Sequence, residues 1–238
     1  MASLSHSPRA SAAPRRPARV RVRRFADRDT LGLTRAEFRT LARLDTPGKI
    51  QVFLNAIPSN FEPDGDTVLS VREVLRQRRA HCIEGAMVAA CALWIHGHPP
   101  LVAHMGAVQD WDHVIALFRR GGCWGAISKT NQAPLRYRDP VYRSLRELMM
   151  SYFHEYGNKR GQKTLRNYSV AYDLRRLEPA LWVTNPKNCW EVDAVLGEIR
   201  HYDLISPRQE QWLRTRDRFE REISRHREHL PPAHLERR

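Results

Sequence analysis

A thiol and an imidazole within reach of each other form a nucleophile and its base. The imidazole takes or holds the thiol proton, the sulfur attacks a carbonyl carbon, and the proton is delivered to the leaving amine. Cys82 and His113 offer this pair. Cys82 stands where the Arg-rich segment 76–79 gives way to the apolar run Ala86–Ile95. Ile83, Met87, Ala90, Cys91, Trp94 and Ile95 recur at helical spacing, which predicts a largely buried helix that Gly97 and Pro99-Pro100 stop. Cys82 then lies in the first turn. There the free N–H groups and the positive end of the helix dipole favour thiolate, and the same N–H groups can receive a tetrahedral oxyanion. A lone cysteine in such a place is ordinarily a small buried hydrophobe. The histidine downstream is what shifts the reading toward catalysis.

A third residue must fix the imidazole, and the strand pattern offers two. His113 to Arg120 alternates, with His113, Ile115, Leu117 and Arg119 on one face and Val114, Ala116 and Phe118 on the other. Gly121-Gly122 signals a hairpin, and Cys123 to Thr130 reads as the returning strand. A two-residue turn pairs Arg120 with Cys123 and places Ser128 diagonal to His113 on the same face. A three-residue loop with a bulge would set Asn131 opposite His113 instead. Either side chain can accept from the ring Nδ1–H.

A cysteine at a helix start, then a strand, then a hairpin opened by histidine: this order resembles the transglutaminase-like core of the papain-like cysteine enzymes. Cys82-Ile-Glu-Gly-Ala86 is similar to the family's Cys segment, Asp112-His113-Val-Ile-Ala-Leu-Phe118 to its His strand, and Trp124-Gly-Ala-Ile-Ser128 to its Trp-x-x-x-Asp strand. The resemblance covers about residues 70–131. It implies an α+β fold, with the Cys-bearing helix packed on a small antiparallel sheet and extra helices on both sides. It also implies thioester chemistry, without a cofactor, on an amide of a protein, a peptide or a small molecule. Water would end the reaction as hydrolysis, and an amine as acyl transfer. Ser128 stands where the family has Asp. A serine can accept the hydrogen bond but brings no charge to an imidazolium. Asn131 is the better chemical substitute, since an amide carbonyl fills that role in papain-like enzymes generally.

Flanking elements are expected to position this core. Thr34-Arg-Ala-Glu37 is a capping box opening a helix to Leu44, and Thr46-Pro47 opens another that carries Ile50, Phe53, Leu54 and Ile57. Ser70 caps residues 71–77, Pro100–Met105 reads as a strand, and Asp110-Trp-Asp112 as a break. Downstream, Asp139-Pro140 is expected to cap a helix running through Phe153, 157–168 to be a polar loop, and Asn185-Pro186 to open a helix through Ile199. Ser206-Pro207-Arg-Gln209 is expected to open a last, charged helix to about His229, with Trp212, Phe219 and Ile223 as a thin stripe.

The chain of 238 residues, 42% hydrophobic with mean hydropathy −0.59, suits one domain at 28–205 between a disordered basic arm, 1–27, and a charged helix and tail, 206–238. The net charge of +14 rests mainly on arginine and permits attraction to anionic partners. The alternative function is therefore a basic adaptor with a degenerate core, holding an acidic partner or nucleic acid through the arm and the last helix. Cysteines 82, 91, 123 and 189 form no C-x-x-C pair, which suits a reduced, cytoplasmic protein. No run of about 18 apolar residues suggests a membrane span. His96, His98 and His104 are expected to be solvated loop or strand histidines rather than metal ligands, and Asp64 and Asp66 a plain turn. Glu84 reads as a helix-dipole carboxylate without chemistry; His81 could serve as the base, but as an adjacent residue it is expected to point away from Cys82. Lys129 and Arg79 could line an anionic cleft, and otherwise read as solvated surface.

Overall fold

The starts of the first helices are written into single polar side chains. The computed structural model describes residues 25–231. α1 (Arg28–Leu31), α2 (Arg35–Ala42), α3 (Pro47–Asn55) and α4 (Val71–Gln77) lead into α5 (Cys82–Ile95). Asp27, Thr34, Thr46 and Ser70 each accept a hydrogen bond from a backbone N–H in the first turn that follows, a cap typically worth about 1 kcal/mol. Residues 1–24 of the expected basic arm and residues 232–238 of the expected tail lie outside the described residues. The arm boundary falls earlier than expected, because Ala26 is buried and bonds to the Trp94 carbonyl, and Asp27 caps α1.

α5 is buried continuously from Ile83 to Trp94. It packs against α2, α3 and α4 on one side and against β1 (Leu101–Ala107) and β2 (His113–Arg120) on the other. Ala86, Ala89, Ala90 and Ala92 keep it slim enough for both approaches. β2 turns through Gly121-Gly122 into β3 (Cys123–Ile127). Both glycines have positive φ, 58° and 83°, as a two-residue hairpin turn requires. Arg120 pairs with Cys123 and Ala116 with Ile127, so the register is that of the two-residue turn.

The remaining elements are β4 (Arg138–Tyr142), α6 (Leu145–Met150), β5 (Leu165–Ser169), β6 (Tyr172–Asp173), α7 (Pro179–Trp182), α8 (Trp190–Glu198), β7 (His201–Asp203), α9 (Pro207–Glu210) and α10 (Arg218–Ser224). The described residues thus form an α+β protein with ten α-helices and one seven-stranded sheet, in the order β4-β3-β2-β1-β5-β7 with β6 also beside β1. All pairings within the sheet are antiparallel. Val114, Ala116 and Phe118 join the core around α5, while Ile115 and Leu117 join a second core with Leu148, Met149 and Tyr152.

The sheet is larger than the expected small one, because strands arise where helix or loop was expected. Asp139-Pro140 caps no helix. It lies in β4, at an edge where the missing proline N–H is not needed, with Val141 65% exposed. The helix starts after Ser144, whose Oγ accepts from Glu147 N–H at 3.1 Å. The end of the expected loop 157–168 is β5, drawn straight by pairing with β1. Asn185-Pro186 is followed by a turn, and α8 begins only at Trp190, whose side chain is exposed. The single last helix is instead α9 and α10. Its capping box at Ser206 and Gln209 is formed, but Trp212, Phe219 and Ile223 are exposed, so no core contact holds a long helix together. Among the described residues no helix is long and apolar enough to cross a membrane.

Candidate active site

The approach to Cys82 is built from backbone geometry and one buried carboxylate. Arg78 ends α4 in the left-handed region, φ 57°. The chain then bridges to 58–60, with Ala80 N–H on the Pro58 carbonyl and Asn60 N–H on the Ala80 carbonyl, both at 3.1 Å. Glu84 lies in the first turn of α5, where a helix-dipole carboxylate was expected. It is fully buried and accepts from His81 N–H (2.8 Å), Leu69 N–H (2.9 Å), Thr67 Oγ1 (2.9 Å) and Asn60 Nδ2 (3.1 Å). These bonds fix the turn that presents Cys82.

His81 does not point away from its neighbour. Its Nε2 donates to the Thr67 carbonyl at 2.8 Å and lies 3.3 Å from Glu84 Oε1 and 3.5 Å from Glu62 Oε1. Its Nδ1 lies 3.9 Å from Cys82 Sγ. Glu84, three residues on, acts with the sequence-distant Glu62 carboxylate and Thr67 carbonyl to hold the ring beside the sulfur.

His113, 6% exposed at the start of β2, places Nε2 2.7 Å from Ser128 Oγ. The expectation named Nδ1 as the anchored nitrogen. The anchored nitrogen is Nε2, which leaves Nδ1 as the ring nitrogen available to Cys82. Ser128 is fully buried, one residue beyond the end of β3. Its backbone is held by Gln51 of α3: Gln51 Nε2 donates to Ser128 O at 2.9 Å, and Ser128 N–H donates to Gln51 Oε1 at 3.0 Å. A side-chain amide thus continues the pairing where the strand ladder stops. Gln51 was missed in the sequence, where its signal is a polar residue beside Ile50 on the buried side of α3.

Asn131 does not orient the histidine. Its amide is taken up by the backbone of His229, with Nδ2 donating to the carbonyl at 2.6 Å and Oδ1 accepting from N–H at 2.7 Å. Lys129 is not solvated surface but 2% exposed, with Nζ on the Ile57 carbonyl, and burial lowers its pKa to about 8. Arg79 bonds Gln77 at 3.1 Å. His104 lies 3.0 Å from His201 Nε2 through Nδ1 and 3.2 Å from Asp112 through Nε2. Among the described residues no three His, Cys, Asp or Glu side chains converge as a metal site.

Cys82, His81, His113, Lys129 and Asn131 line one cleft of about 270 Å³, with Trp111, 88% exposed, at its wall. Burial alone would raise the Cys82 thiol. Hydrogen bonding to His113 and His81, together with their charge, outweighs burial and holds it well below its ordinary value. His81 moves the opposite way. Burial opposes its protonation, but hydrogen bonding to Cys82, the thiolate charge and Glu84 raise it to about 10. The arrangement favours a thiolate beside an imidazolium, in a cavity open to a ligand.

A scan against protein-family models finds no match to this chain, and a search among curated proteins finds none either.

Proposed function

We propose that the protein is a cysteine enzyme of the transglutaminase-like type, breaking an amide or peptide bond through a Cys82 thioester. The observation that carries this reading is a thiol held well below its ordinary pKa at a helix start, in a cleft shared with a histidine whose far nitrogen is anchored. The papain-like core is part of this reading. A cysteine helix on an antiparallel sheet, with histidine opening the strand and Ser128 at the end of the next, supports it.

The Cys82 thiolate attacks the carbonyl carbon, and first-turn N–H groups of α5 receive the oxyanion. His113 gives its proton to the leaving nitrogen as the C–N bond breaks and the thioester remains. Water or an amine then loses a proton to His113 as it attacks, and the sulfur leaves as thiolate. Ser128 keeps the imidazole oriented without adding charge. His81, held by Glu84 and Glu62, supplies the fixed positive charge beside the sulfur.

Alkylation by iodoacetamide, titrated against pH, tests the reading. Wild-type Cys82 labels well below about pH 8.5, the reference for a free thiol, and His113→Ala shifts the profile toward an ordinary thiol. A native protein whose Cys82 stays unlabelled, or a profile that His113→Ala leaves unmoved, overturns it.

A further inference from the structure

We infer that Asn131 and Arg136 form a peptide subsite on the flank of the cleft, one that reads a main-chain N–H and C=O next to an acidic side chain, and that the chain's own Glu228-His229 occupies it. This rests on the function proposed above and names its substrate class as polypeptide rather than small amide. The Asn131 carboxamide makes both of its bonds to the main chain of one residue, His229. The Asn131 carbonyl also accepts from Glu228 N–H at 3.2 Å. Such bonds go to main-chain atoms alone, so they are indifferent to the sequence of the peptide that takes them. Selection comes from the next contact, where the Glu228 carboxylate pairs with the Arg136 guanidinium.

Two features mark 228–229 as a replaceable occupant rather than structural packing. Arg136 Nε is buried and has no hydrogen-bond partner among the described residues, so the strap uses only part of that guanidinium's donor set. The strap also lacks an apolar anchor. Leu230 is 75% exposed, and α10 before it buries no residue. Polar contacts without an apolar anchor can be matched group for group by a competing peptide, which can therefore displace them. The subsite lies beside the chemistry, since Asn131 lines the cleft that holds Cys82 and His113.

The test uses the full-length chain and a fluorescent peptide with the sequence of residues 225–231, read by anisotropy. Glu228→Arg and His229→Pro each empty the subsite, the first by reversing the ion pair and the second by removing the backbone donor. Each should bind the peptide at least about tenfold more tightly than wild type, or about 1.4 kcal/mol. Adding Arg136→Glu to His229→Pro should abolish this binding in the emptied chain. That double variant should instead prefer a peptide with arginine in place of the glutamate. Unchanged affinity in both emptied variants, or no reversal of charge preference, overturns the inference. Cys82→Ala should bind as its parent does, so failure of the subsite and failure of the thiol chemistry are read separately.

Discussion

Gly85 and Lys129 approach so closely that a methyl group on Gly85 would lie 2.3 Å from Lys129 Cβ. α5 is thereby pressed onto the chain that leaves β3, and the thiol-bearing turn shares a wall with Ser128. In an exposed helix Gly→Ala stabilises by up to about 1 kcal/mol. Here Gly85→Ala should destabilise by about 1–3 kcal/mol through overpacking and should slow Cys82 alkylation. Urea unfolding and labelling rates check both. A midpoint at or above wild type would show that the two elements can part without cost.

Gln51 should matter to the site without touching the substrate. Gln51→Leu leaves Ser128 N–H and C=O buried without the amide they bond now, a loss of about 1–3 kcal/mol. It should also loosen His113 through Ser128. Ser128→Ala should cost less stability yet disturb the pH profile of Cys82 alkylation comparably. Identical profiles for Ser128→Ala and wild type would remove Ser128 from the positioning role.

The thiolate–imidazolium pair makes a prediction whose sign follows from two opposite shifts. His81 is raised from 6.5 to about 10, so its contribution to stability is full below 6.5 and is lost as pH rises toward 10. Cys82 is lowered from 9.0, so its contribution is full above 9.0 and is lost as pH falls through its folded value. Where the two windows overlap, below pH 9.0, the opposite slopes cancel; the pair's stabilisation declines above pH 9.0 as His81 loses its proton, and on the acid side as Cys82 gains one. The stability difference between wild type and His81→Gln, from urea titrations across pH, should trace this plateau. A difference that changes steadily through that window would mean the two groups titrate independently.

Lys129 should behave in the reverse sense. Burial depresses its pKa from 10.5 to about 8, so the buried cation weighs against the folded state below pH 8, and that burden lifts as pH rises to 10.5. Wild type should therefore gain stability relative to Lys129→Met across that window. Parallel stability curves for the two proteins from pH 8 to 10.5 would contradict the assignment.

What the sequence disclosed was whatever local rules decide. The caps at Thr34, Thr46 and Ser70, the apolar run of α5 and the Gly121-Gly122 turn each act over a few residues, and each element formed. The same turn decided between Ser128 and Asn131, a choice the sequence could frame but not make. β4 and β5 were hidden because pairing with β3 and β1, rather than their own alternation, holds them extended. Gln51 acts on Ser128 across a long stretch of chain, and His81 is turned by Glu62, Glu84 and the Thr67 carbonyl together. No periodicity records contacts of that range.

The burial of α5 on all sides gives the cysteines a use as a clock of opening. Segments with few apolar contacts, such as α10 and the strap, fluctuate open at little cost, whereas a helix packed on both flanks exchanges its amides only in openings close to global unfolding. Cys91 sits in the middle of α5 and Cys189 at the head of α8, both with no exposure, while Cys123 begins β3 partly exposed and Cys82 faces the cleft. A single alkylating reagent, followed residue by residue in mass spectrometry, would report Cys82 from the closed protein and Cys91 only from molecules whose centre has come apart. Cys82 is thus mounted on a helix packed on both flanks, and labelling it should report the intact molecule rather than a transient breathing state.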